Sequence, residues 1–417
     1  MKTVNISRSI SRGFFLRKQI LIGSIALFSV GAAEAQWSVE PLLKAGIEKD
    51  DNATLSIRTD DVKNGTGVLL DASARIEYKS SLTNFFVAPR VLSRSYSDNP
   101  EIDADDVFLE SVYLRYTKSG TFRVRMDYED QAILNAERAE TDFDIDNPDD
   151  IPDDDAGVIG FQGQREKWRI RPQWNYRFNE SSSMVLSAMY LDASYDNQQQ
   201  LLLNDFSDIR FAASYNRALS DRSTGTIMLN SRKYEVADRS SETTGLGFMA
   251  GVSRSLSPTT TAKVMLGMED TDSGLVDNDP GFVANVSLRR RLQTVNILAQ
   301  YRRAISASGS GRLSSRESLN LNLSRRFNEK ISAGLGVRAY QTTSLDDSVR
   351  IDERNYLQLR SQFIWNFTPS LAAEVDYRFT FQKRSALNES SNSNQVTLWF
   401  VYRPNSVDRR FGENLNF

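Results

Sequence analysis

The stretch 355-NYLQLRSQFIWNFTPSLAAEVDYRFTFQK-383 decides the fold. Leu357, Leu359, Phe363, Trp365 and Phe367 take every second position, interrupted only by Ser361. Gln358, Arg360, Gln362 and Asn366 fall between them. After Thr368-Pro369-Ser370 the alternation resumes, with Ala373, Val375, Tyr377, Phe379 and Phe381 against Glu374, Asp376, Arg378, Thr380 and Gln382. Successive side chains of a strand point to opposite faces, so this pattern predicts two strands in an antiparallel hairpin. Each half exceeds ten residues. Strands of soluble proteins average about 5–6 residues, whereas crossing a bilayer takes about 9–11.

Working outward, the N-terminus predicts export. Lys2, Arg8, Arg12, Arg17 and Lys18 precede the apolar run 20–30, and Gly31-Ala32-Ala33-Glu34-Ala35 offers an A-x-A cleavage site. Residues 1–35 therefore read as a signal peptide cut near Ala35, without a twin-arginine or lipoprotein signature. The mature chain 36–417 has no Cys and no His. That removes disulfide staples, the usual zinc ligand sets and His-based catalytic dyads. Net charge is −3, and beyond the leader no apolar run approaches the roughly 20 residues of a helical span.

The hairpin pattern recurs along the mature chain. Val68, Leu70, Ala72, Ala74, Ile76 and Tyr78 alternate with Asp71, Ser73, Arg75 and Glu77; Phe122, Val124, Met126 and Tyr128 alternate with Arg123, Arg125, Asp127 and Glu129. Trp168, Ile170, Trp174, Tyr176 and Phe178 form another apolar face, on which Pro172 predicts a bulge or a locally lost hydrogen bond. In all, eighteen strands are expected. The segment 246–252 faces mostly glycines, and 184–190 is apolar on both faces. Spacers after odd strands are long and polar, while those after even strands are tight, such as SSLTN, KSG, NESS and TPS. Aromatics gather near the tight turns: Tyr78, Tyr116, Phe178, Tyr215, Phe327, Trp365, Phe367 and Tyr402. Long loops at one end, short turns at the other and aromatic girdles belong to outer-membrane barrels. The expectation is a single all-β domain, a transmembrane antiparallel up-and-down β-barrel of about eighteen strands. It has a long acidic external loop near 134–164 and a C-terminal tail, 404–417.

The run Pro41-Leu42-Leu43-Lys44-Ala45-Gly46-Ile47-Glu48-Lys49-Asp50-Asp51-Asn52 resembles the opening strand and Asp-Asn loop of porin families encoded with exopolysaccharide systems in Gram-negative bacteria, in particular the β-barrel porin 2 group. The resemblance implies a barrel in the outer membrane, surrounded by its lipid and lipopolysaccharide. It implies a part in exopolysaccharide export beside polysaccharide secretion machinery, or an uncharacterised channel. It supplies no catalytic residues.

With apolar alternates outside, the other face lines a lumen. That face is expected to carry Arg75, Arg90, Arg94, Arg115, Arg123, Arg125, Lys167, Arg169, Arg171, Arg177, Arg210, Lys263, Arg289, Arg302, Arg338, Arg360 and Arg378. Its acids are fewer: Asp71, Glu77, Asp127, Glu129, Glu269, Glu374 and Asp376. Arginine forks suit carboxylate and phosphate, and rings of Arg mark anion-selecting pores. The competing reading is a structural ladder of opposite charges on neighbouring strands, as Glu374, Asp376 and Arg378 on one strand beside Arg360 on the next suggest.

A second candidate is the acidic spacer 140–155, with Asp142, Asp144, Asp146, Asp149, Asp150, Asp153, Asp154 and Asp155. Its alternating carboxylates resemble the start of an EF-hand loop, so weak Ca²⁺ binding is the one cofactor reading open to it. Asn147-Pro148 replaces the glycine turn and no Glu closes the loop, which leaves a solvated anionic loop or an electrostatic gate. No metal site is expected elsewhere. Without His an enzyme is not expected, and no basic–aromatic cluster outside the lumen suggests nucleic acid. A general or uptake porin and a plugged structural or adhesive barrel are the alternatives to export.

Overall fold

The structure, a computed structural model, describes residues 36–56, 62–134, 163–196, 203–237, 242–272, 281–309, 311–345, 353–384 and 389–404. The leader, the spacer 140–155 with its eight aspartates, and the tail beyond Pro404 lie outside the described residues. Eighteen strands follow one another. The first nine are β1 (Gln36–Asp50), β2 (Gly65–Lys79), β3 (Thr83–Tyr96), β4 (Ala104–Thr117), β5 (Gly120–Ala132), β6 (Gln164–Asn179), β7 (Ser182–Tyr195), β8 (Phe206–Ser220) and β9 (Ser223–Val236). The second nine are β10 (Glu242–Ser257), β11 (Thr260–Asp272), β12 (Gly281–Arg291), β13 (Val295–Ser308), β14 (Arg312–Arg326), β15 (Ile331–Ser344), β16 (Arg354–Asn366), β17 (Leu371–Arg384) and β18 (Glu389–Tyr402).

Each strand pairs antiparallel with the next, and β18 returns to pair with β1 from Leu43↔Tyr402 to Asp50↔Gln395. The sheet is a closed 18-stranded barrel, as the period-2 pattern predicted. Closure leaves no open edge, so the backbone meets its own hydrogen-bonding demand within the wall. Connections at one end are turns of two to four residues, such as 118–119 and 367–370. Most connections at the other end are longer. The exceptions are 309–311, between β13 and β14, and 385–388, between β17 and β18.

Residues opposite each other in a ladder share a face, so register assigns every side chain. The outer face is apolar and exposed: Leu246 is 71% and Phe400 61% accessible. Leu357, Leu359, Phe363 and Trp365 stand on it opposite Phe381, Phe379, Val375 and Ala373. The girdle residues sit at the turn end as expected, except that Tyr116, opposite Thr121, lies on the inner-facing phase. Pro172 faces outward, and bridging to β7 lapses between Ile170↔Tyr190 and Gln173↔Ser187 without a change of register. Pro89 produces the same lapse between Ser73↔Arg90 and Ile76↔Val87. A residue without N–H drops one rung and leaves the phase intact.

Charge frames this apolar band. Asp105, Asp130, Asp192, Glu235 and Asp270 face outward near the loop end; Arg115, Arg217, Arg254, Arg290 and Arg325 face outward near the turn end. On β4 the two limits are Asp105 and Arg115. Ten residues of strand tilted by about 40° span roughly 25 Å along the barrel axis. That is the height of the apolar band of a membrane barrel, about 25 Å.

Candidate solute path and its closure

The lumen is lined by the alternate residues. Arg75, Arg90, Arg94, Arg123, Arg125, Lys167, Arg169, Arg171, Arg177, Arg210, Lys263, Arg289, Arg302, Arg338, Arg360 and Arg378 all fall on the inner face, Arg177 at its turn-end margin. Arg115 does not. It lies opposite Thr83 on the side of Val107, Leu109 and Tyr113, exposed on the exterior. The misreading has a local cause: β4 carries Phe108, Val112 and Leu114 inward as well, so hydrophobicity alone leaves its phase undetermined.

On β2–β9 the inner arginines form a ladder. Arg90 grips Asp71 through Nε and Nη2 at 2.9–3.1 Å, and Arg94 is paired with Asp106. Asp127 holds Arg125 at 2.9 Å and Arg171 at 2.7 Å, while Glu129 accepts from Lys167 at 2.9 Å and Arg165 at 3.3 Å. Asp208 bridges Arg210 and Arg232, each at 2.8 Å. Burying a charge is costly unless it is paired, and here sheet register brings the partners together. The ladder reading holds for these residues. On β16–β17, Arg360 meets Asp376 at 2.9 Å, but Glu374 turns to Lys44 of β1 at 3.0 Å rather than to Arg360.

The opposite wall is different. Among the described residues, the inner face of β12–β16 contains no carboxylate, yet carries Arg289, Arg302, Arg316, Arg338, Arg354 and Arg360. Tyr340 and Tyr356 stack there with ring centroids 4.7 Å apart. The Arg316 guanidinium lies 3.7 Å above the Tyr340 ring, and that of Arg354 lies 5.0 Å from it. Guanidinium over an aromatic face is favourable, more so when desolvated. Among the described residues, then, the β2–β9 wall supplies carboxylates to its own arginines and the β12–β16 wall supplies none from its own inner face.

Two inward-folded segments narrow it near the loop end. Along β13 and β14, Ile305, Ser306, Ala307, Ser308, Leu313, Ser314 and Arg316 are all buried, although successive residues of a wall strand should alternate. Burial on both faces means that the hairpin tip has left the wall and entered the lumen. Ile305, Ala307 and Leu313 pack with Leu191, Tyr195, Phe206, Tyr234 and Val236 of β7–β9. Polar contacts fasten it: Arg232 Nη1 donates to the Ile305 carbonyl at 2.9 Å, Tyr234 Oη to the Ser308 carbonyl at 3.0 Å, and the Asn204 amide to the Gly309 carbonyl at 2.7 Å. Gly311, at φ +80°, makes the tip turn, a backbone conformation that glycine alone adopts freely.

The β1–β2 loop supplies the second segment. Leu55 is 1% exposed and packs on Tyr340 and Tyr356. Its φ of +49° is left-handed, uncommon for a bulky residue and costly by about 1–2 kcal/mol. Its carbonyl accepts from Gln382 Nε2 at 2.9 Å and Ser391 Oγ at 3.0 Å, which holds the strained turn against the inner wall. At the end of β5, Ile133 joins the cluster around the hairpin and Leu134 the one around Leu55. Outside the wall, Lys63 of the same loop hydrogen-bonds Glu101, which holds that carboxyl below its usual range.

Sequence reasoning overlooked Arg165, Arg232, Arg316 and Arg354. The period-2 count, carried to the true strand ends, places the first two on the inner face. No sequence signal marks the hairpin, because its residues alternate as a wall strand does. No group of three or more His, Cys, Asp or Glu able to hold a metal occurs among the described residues.

No family model matches the chain, and no curated sequence matches it. Solved structures are similar to it at low identity. OpdO of Pseudomonas aeruginosa is 9% identical, with 88% of this chain and 98% of that one covered and a TM-score of 0.45. A BenF-like porin from Pseudomonas fluorescens Pf-5 is 9% identical over 89% and 99%, at 0.46. The siderophore receptor PirA from Acinetobacter baumannii is 7% identical over 88% and 80%, at 0.47.

Proposed function

We propose that the chain forms a channel in the outer membrane whose Arg-rich lumen suits an anionic solute. The closed barrel supports this reading, with its exposed apolar band of about membrane height and a charged interior. An outward face dominated by exposed apolar side chains on a closed sheet suits hydrocarbon. The finer proposal is export of an acidic exopolysaccharide, passed on by secretion machinery. It draws on the resemblance of residues 41–52 to exopolysaccharide-linked porins and on the fit of guanidinium forks to carboxylates. Reconstitution into planar bilayers tests it: current should flow with anion preference, and Arg302→Gln with Arg338→Gln should reduce that preference. Cation preference would remove the anionic solute from the proposal.

The inward hairpin and the Leu55 turn favour a second reading, a barrel shut at rest whose role is structural. Replacing 305–313 by a short turn separates the two. Unitary current that rises on this change belongs to a channel, whereas silence before and after belongs to a structural barrel.

A further inference from the structure

Four of the outward arginines stand in one ring. Arg217 of β8 lies opposite Gly225, which lies opposite Val252 of β10, and two residues further toward the turn end is Arg254. Arg254 leads through Ala262 to Leu288 of β12, and two residues on is Arg290. Arg290 leads through Ile297 to Leu323 of β14, and two residues on is Arg325. A constant step per hairpin is the stagger that strand tilt imposes on a barrel, so a row that follows it stays at one height. Continued in either direction, the same rule reaches Tyr176 of β6 on one side and Trp365 of β16 on the other. Aromatic residues of that kind settle at the membrane–water boundary. The arc of guanidiniums therefore lies at headgroup level, with neighbours roughly 10 Å apart, two strand spacings.

All four side chains are exposed, and among the described strand residues no carboxylate faces outward at that height. Outward carboxylates stand at the other rim, at Asp192, Glu235 and Asp270. Just inside the arc the surface is apolar, with Tyr215, Val252, Leu288 and Leu323 each one outward position away. An occupant of this surface needs an anionic head held level with the arc and hydrocarbon running along the wall toward the loop end.

We infer that Arg217, Arg254, Arg290 and Arg325 form a binding arc for the phosphate groups of anionic phospholipid in the leaflet at the turn end of the barrel. Guanidinium binds phosphate by paired hydrogen bonds, and each basic residue near an anionic surface adds to the attraction. The inference rests on the membrane reading above and goes beyond it, since neither solute nor pore enters.

Lipid retention tests it. The full mature chain, folded in mixed micelles of phosphatidylglycerol and phosphatidylcholine, is examined by native mass spectrometry. Wild type should keep phosphatidylglycerol over phosphatidylcholine by about tenfold, and less in high salt. The quadruple Arg→Gln variant should lose that preference, and the quadruple Arg→Lys variant should keep much of it. Should the Gln variant not fold, wild type against Arg→Lys across salt still decides. Equal retention of the two lipids by folded wild type, or a preference insensitive to salt, overturns the arc alone. Failure of wild type to enter bilayers of any composition overturns the membrane reading with it.

Discussion

Arg232 shows how much one inner residue can hold. Its side chain is buried, forked onto Asp208, and its remaining nitrogen reaches the carbonyl of Ile305 on the far hairpin. Arg232→Ala should lower barrel stability by about 2–3 kcal/mol, read from the urea midpoint of the folded form. The loss stays moderate because Arg210 still holds Asp208. Leu55→Ala keeps the left-handed backbone but removes the packing on two tyrosines. It should cost about 2–3 kcal/mol by the same measurement, and no change would mean that the turn is not seated on the wall. At this scale the sequence was informative where charge and hydrophobicity alternated cleanly, as at Asp71, Arg75 and Arg360. It was mute at Arg115, where both faces of β4 are apolar, and it could not pair Glu374 with Lys44, a partner 330 residues away.

Among the elements, the β13–β14 hairpin departs most from the wall. Its alternation is that of any membrane strand, so period alone assigns it to the barrel. Only the packing of Ile305, Ala307 and Leu313 on β7–β9 reveals its displacement. The segment 134–164, which could gate or plug the barrel, lies almost wholly outside the described residues, among which the inward elements are this hairpin and the β1–β2 loop. A Cβ placed at Gly311 lies 3.4 Å from Asn204 Cγ, within reach of a disulfide between Asn204→Cys and Gly311→Cys in a chain with no cysteine of its own, at a backbone strain of about 1–2 kcal/mol for a side chain at φ +80°. Oxidised, the double variant should show lower open probability in bilayer recordings than after reduction. Identical currents in the two states would mean that the hairpin does not move during conduction. Strand number, hairpin order and the effect of Pro172 were all legible, because each depends on residues adjacent in sequence or facing across one turn.

For the whole molecule, the two rims of outward charge fix how the barrel lies in a bilayer. The segment from Asp105 to Arg115 should be shielded from water-soluble reagents, and the loops should not. Single cysteines placed at outward positions between those limits, such as Leu109→Cys, should resist a charged maleimide in cells, while one at Asp51 should react. Reaction at all of these positions alike would contradict a lipid-facing wall. The fold was readable from period and loop length because membrane and lumen impose opposite demands on neighbouring side chains. The interior arrangement was not readable, because contacts across a lumen join residues with no sequence relation to each other.

The wall is completed only when the first strand meets the last, through rungs from Leu43↔Tyr402 to Asp50↔Gln395. Without β18 the edges of β1 and β17 have no partner, and two raw margins would remain in hydrocarbon. A chain threaded out from its beginning must therefore wait, unclosed, until its final strand arrives. Loss of Glu389–Tyr402 would strand β1 and β17 as bare flanks and turn an intact molecule into a substrate for proteases.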